Sequence, residues 1–138
     1  MRFPLTPVCV AVTLLWTATG TEPRVRPILA RNLPHLNGAA AKATLIEVNY
    51  GPGESSPTHT HPCAVMGYVV EGAVRMQVDS GPETIYRKGD GFYEAPNGVH
   101  AISANASRTE RAKFVAYFVC DHEAPLSADL PQHSGDRP

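Results

Sequence analysis

The sequence predicts an all-β fold, a small antiparallel sandwich or barrel. Runs of alternating apolar and polar residues recur at intervals of about 8 to 12 residues, as in β-sandwiches and barrels. Turn formers separate these runs, drawn from 13 prolines and 11 glycines in 138 residues, more than average usage supplies. Residues 42 to 122 carry no apolar period of 3.6 that would mark a helix. The length suits one domain with its own core. A net charge of −1 with 18% charged residues speaks against a nucleic-acid partner, which brings a basic patch.

Taken in order, residues 1–20 read as an export signal. Arg2 supplies a positive charge, and "VCVAVTLLW" (Val8 to Trp16) is an apolar run too short to span a bilayer as a helix. The small residues of "TATG" follow, ending at Gly20. A buried strand or a retained anchor is the alternative. Export predicts a periplasmic or secreted protein with no stable membrane span after cleavage. Cys9 is then removed with the signal. Cys63 and Cys120 remain in an oxidising compartment, either as one disulfide or as two buried thiols.

Residues 21–41 hold Pro23, Pro27 and Pro34 among polar residues and predict an extended arm or edge segment. Residues 42–122 form the expected barrel. "KATLIEVNY" alternates as a strand and "GPGESSPT" is a loop. "AVMGYVVEG" and "AVRMQVDSG" are the next two strands, with Val74, Met76 and Val78 on one face. "TIYRKGDGFYEAPNGVHAISAN" predicts two more short strands around turns at Gly89-Asp90 and Pro96-Asn97-Gly98. "AKFVAYFVCD" reads as the last core strand. Residues 123–138 are a polar, proline-rich tail, expected to be loose or draped over the surface.

The chemistry begins at "SPTHTHPC". Residues i and i+2 of a strand point the same way, so His59 and His61 aim at one spot. Two converging imidazoles need partners or a metal if they face inward; a solvated pair beside a proline-rich loop is the alternative. His100 opens an alternating stretch with Ile102 and Ala104, where a third imidazole can complete a facial set. Three protein ligands leave positions open for water, dioxygen or substrate. Cys63 continues the same i, i+2 series, although Pro62 interrupts it. Glu94 is a candidate base or partner to a histidine. Tyr68, Met76, Phe92 and Phe118 are candidates for an apolar pocket lining or for core packing. His35, His122 and His133 fall in segments read as loops.

These residues resemble the cupin superfamily. Its first motif is Gly-x5-His-x-His-x(3–4)-Glu-x6-Gly, on which Gly53, His59, His61 and Gly72 fall in register. Its second runs Gly, Pro, Gly, His, Asn, and Gly89, Pro96, Gly98, His100 and Asn105 follow that order with small departures in spacing. "GYVVEGAVRMQV" and "FYEAPNGVHAISANAS" look most similar to small single-domain, quercetin-dioxygenase-like cupins. The resemblance implies a cupin-type barrel, or jelly roll, holding a divalent transition metal: iron, manganese, nickel or zinc. It implies His59, His61 and His100 as the ligands. The family's carboxylate ligand falls on Val65, or on Met66 under the longer spacing, so the resemblance gives a three-histidine site at most. The function it implies is a metal-dependent dioxygenase acting on a small organic molecule; a non-catalytic barrel that holds a metal and a small ligand is the alternative. A homodimer is a further expectation, since similar barrels pair.

Overall fold

The computed structural model describes residues 25–131, so the predicted export signal and His133 lie outside the described residues. Among the described residues there are nine strands: β1 Lys42–Tyr50, β2 His59–Thr60, β3 Ala64–Glu71, β4 Ala73–Val78, β5 Thr84–Arg87, β6 Gly91–Glu94, β7 Val99–Asn105, β8 Ala112–Cys120 and β9 Ala128–Asp129. They form two antiparallel sheets of order β1-β8-β3-β6 and β5-β4-β7-β2-β9. The architecture is a two-sheet antiparallel jelly roll: the alternation predicts a sandwich or barrel, and the resemblance implies the jelly roll.

The longest ladder pairs β1 with β8, from Lys42 opposite Cys120 to Tyr50 opposite Ala112. Strict alternation along β8 turns Phe114, Ala116 and Phe118 inward. They meet Tyr50 from β1, Val65 and Val69 from β3, Val74 and Met76 from β4, and Phe92 from β6 in one core. Gly67 and Phe92 are cross-strand partners, and a Cβ on Gly67 would lie 1.9 Å from Phe92 Cζ. The bare glycine therefore lets that ring close over β3. Gly72, in the turn between β3 and β4, has φ of +66°, and a Cβ there would meet the Arg111 carbonyl at 2.2 Å. Only glycine suits both demands.

One feature differs from the sequence reading. The segment expected to hold two short strands holds three, because β5, β6 and β7 are separated by turns at 88–90 and 95–98. Residues 25–41 run to a short 3-10 turn at Gly38–Ala40, with Ile28 and Leu29 over Gly91. The described part of the tail lies along a sheet edge. Ala128 and Asp129 add an edge strand beside β2, and the Leu130 amide donates to the Thr58 carbonyl.

The open alternative at the cysteines is resolved. Cys63 and Cys120 form a disulfide with Cα atoms 5.0 Å apart, tying the loop after His61 to the end of β8. Among the described residues no helix is long and apolar enough to cross a membrane.

Candidate metal centre

The second sheet builds the centre. β2 and β7 pair antiparallel with His59 directly opposite His100, so both side chains leave the sheet on the same face. His61 lies one residue past β2 and keeps the i, i+2 direction of His59. Ring centroids are 4.8 Å apart for His59 and His61, and 5.0 Å for His59 and His100. One ring nitrogen from each of the three lies within 4.8 Å of the others. All three residues are buried.

The hydrogen bonds fix which nitrogens face inward. His59 Nδ1 is 2.7 Å from the Pro57 carbonyl, and His61 Nδ1 is 2.7 Å from the Leu126 carbonyl. A carbonyl only accepts, so both Nδ1 atoms carry the proton and both Nε2 atoms keep a lone pair. His100 is 3% exposed, and neither of its ring nitrogens has a hydrogen-bond partner among the described residues. A buried, unpaired imidazole costs free energy unless something completes it. Burial first, then the neighbouring His59 and His61, lowers the His100 pKa to about 4. Burial also lowers that of His61, against the raising effect of the Leu126 carbonyl. Neutral imidazoles with converging lone pairs are the donor set that suits a borderline divalent transition metal.

Glu94 lies beside two members of this cluster. It sits at the end of β6, is 6% exposed, and places Oε2 3.4 Å from His61 Nε2 and 3.5 Å from His100 Nδ1. Burial raises its pKa from 4.5 to about 7. In the folded state it therefore stays protonated to a higher pH than in the unfolded chain, and stability falls as pH rises between those two values. His100 acts in the opposite sense, losing stability as pH falls from 6.5 toward 4. Comparison with Glu94→Gln isolates the carboxylate. In metal-free protein the variant should gain about 3 kcal/mol on the wild type between pH 4.5 and 8, read by urea unfolding; a difference that does not change with pH contradicts this.

The three histidines and Glu94 face a cavity of about 160 Å³ whose apolar wall includes Ile46, Val48, Phe114 and Phe118. Sequence reasoning missed its other polar group. Tyr50 Oη is 2.6 Å from Ser56 Oγ and 2.8 Å from Ser103 Oγ, and all three residues line the cavity. No local motif marks them, because Ser103 is remote in sequence from Tyr50 and Ser56. Phe118 lines the cavity as expected, whereas Met76 and Phe92 line a neighbouring one that shares Glu94. Tyr68 is a correction: it is 37% exposed on the outer face of β3. Its strand alternates, and Val65, Gly67 and Val69 take the inward positions. Cys63 is held in the disulfide and is no ligand candidate. His35 and His122 are exposed, and His122 bonds Asp121 at 2.7 Å.

The comparisons with known proteins agree with the fold. The family model described as a cupin domain matches residues 46–118. No curated protein matches the chain. Among solved structures, the chain is similar to a cupin-like protein from Thermotoga maritima, with 26% identity, a TM-score of 0.57 and 64% of each chain covered. It is similar to the DMSP lyase DddQ from Ruegeria pomeroyi DSS-3, with 15% identity and a TM-score of 0.56 over 63% of this chain and 42% of that one. It is also similar to the polyketide cyclase RemF from Streptomyces resistomycificus, with 21% identity and a TM-score of 0.55 over 70% of this chain and 66% of that one. The chain thus spans between about two fifths and two thirds of the length of these proteins.

Proposed function

The chain belongs to the cupin domain family, and from that premise we propose that it is an exported, metal-dependent cupin that takes a small organic substrate and oxidises it with dioxygen. One observation carries the reading: three buried imidazoles, two of them locked in the tautomer that presents Nε2, converge on the wall of a largely apolar cavity. His59, His61 and His100 would hold the ion. A bound divalent ion would supply Lewis acidity and open positions at which substrate and dioxygen can meet.

The chain's own residues set the rest. Ile46, Val48, Phe114 and Phe118 exclude water and strengthen electrostatic interactions beside the histidines. The hydroxyls of Tyr50, Ser56 and Ser103 can bond a polar substituent of the substrate. Glu94 can hold a proton near neutral pH at Oε2, within 3.5 Å of two of the histidines. About 160 Å³ accommodates a molecule near benzene in size more readily than a three-ring flavonol. That scale favours a single-ring or smaller substrate within the dioxygenase reading.

Two observations support export. The N-terminal sequence has the charge, apolar run and small residues of a removable signal. The Cys63–Cys120 disulfide suits an oxidising compartment.

A barrel that captures its ligand without turnover is the second reading, favoured by Val65 at the family's carboxylate position. Oxygen uptake separates the two. Protein loaded with iron, manganese or nickel should consume dioxygen with single-ring catechols and less with flavonols. Flat traces with every metal and substrate overturn the dioxygenase reading, and ligand binding in the same samples then establishes the binding module.

A further inference from the structure

We propose that Glu94 gives the centre its anionic ligand, supplied from the strand opposite the position where the cupin pattern places one. This deepens the reading above and rests on His59, His61 and His100 holding an ion. Val65 on β3 and Glu94 on β6 are direct cross-strand partners. Directly opposed residues leave a sheet on the same face, with Cβ atoms about 4.5–5.5 Å apart, and both side chains line the cavity of the histidines. The longer glutamate side chain spans that offset. A carboxylate missing from β3 is thereby restored at the same face from β6.

The distances fit a shared ion better than a hydrogen bond. Glu94 Oε2 lies 3.4 Å from His61 Nε2, beyond the usual N–H···O range. His61 Nε2 has no proton to donate, because Nδ1 carries it toward the Leu126 carbonyl, and 3.4 Å is also long for a bond donated by a protonated Glu94. Two donor atoms each about 2.1 Å from one ion stand about 3.0–3.4 Å apart at angles of about 90–110°, and an ion with more than four positions keeps some open beside these four residues. The second distance, 3.5 Å to His100 Nδ1, is of the same size. The ion pairs of Glu94 among the described residues are to His61 and His100, so no lysine or arginine explains its burial.

Zinc titration of the metal-free full chain with a competing chelator tests the assignment, using wild type, Glu94→Gln and the relocated pair Val65→Glu/Glu94→Val. Glu94→Gln should lose at least about tenfold in zinc affinity while keeping its circular dichroism. The relocated pair should recover to within about threefold of wild type. Infrared difference spectra of zinc uptake should show the shifted carboxylate stretches of a metal-bound glutamate in wild type that Glu94→Gln lacks. Unchanged affinity in Glu94→Gln overturns the proposal and leaves the histidine centre standing. Reduced affinity with no such carboxylate change in the wild type also overturns it, making Glu94 an outer partner of His100, a role that by itself changes affinity about 10–100-fold. Wild-type protein that takes up no zinc removes the histidine centre itself.

Discussion

His61→Ala is expected to lower zinc affinity by about two orders of magnitude, while His122→Ala leaves it unchanged. Structural zinc sites with four protein ligands bind with about 10–16 kcal/mol, so one ligand accounts for roughly 3 kcal/mol, and each 1.4 kcal/mol is a factor of about ten. His61 Nε2 is one of the inward nitrogens, and its ring is held by the Leu126 carbonyl at 2.7 Å and packs edge-on against Phe118. Truncation removes a donor that was already oriented. His122 is exposed beside Asp121, away from the cavity, and so serves as the control. Metal content after dialysis against a chelator reads the difference. Equal losses in the two variants would mean that the ligands are misassigned.

Replacing both Cys63 and Cys120 by alanine should cost about 4 kcal/mol, from the loop-closure entropy of a link spanning 57 residues. Against the 5–15 kcal/mol that holds a typical domain together, that is a large fraction. Calorimetry of the metal-free variant should show Tm lower by about 15 °C or more. A shift below about 3 °C would show that the reduced chain keeps the same constraint by other means. Native protein should also expose no thiol from either residue, even in denaturant, until a reductant is added. Because Cys63 closely follows His61, the variant should hold metal less tightly as well as unfold earlier.

Much of the fold was legible because its signals are local. β1, β3, β4 and β8 each alternate over six or more residues, and one buried face imposes that period. β9 was not legible, and β2 only through the His-x-His spacing. Each has two residues, too few to show a period, and each exists because a remote segment pairs with it. The same limit applies at the centre. His59 and His61 announced themselves by their spacing, and His100 by its place after the Pro-Asn-Gly turn. The resemblance also marked Val65, or Met66 under the longer spacing, as a missing carboxylate. What it could not show is that Glu94 lies across from Val65, because that depends on the register of β3 with β6. Glu94 was visible only as a candidate base or partner. One contact of the tail was invisible for a related reason: Leu126 offers a backbone carbonyl to His61, and backbone groups leave no trace in residue identity.

Anomalous diffraction at the zinc edge from crystals of the metal-loaded chain tests the centre most directly. A single strong peak about 2.1 Å from a ring nitrogen of each of His59, His61 and His100 is the predicted result. A peak elsewhere, or none in protein that diffracts well and was loaded with excess zinc, would contradict the proposed centre and the function built on it.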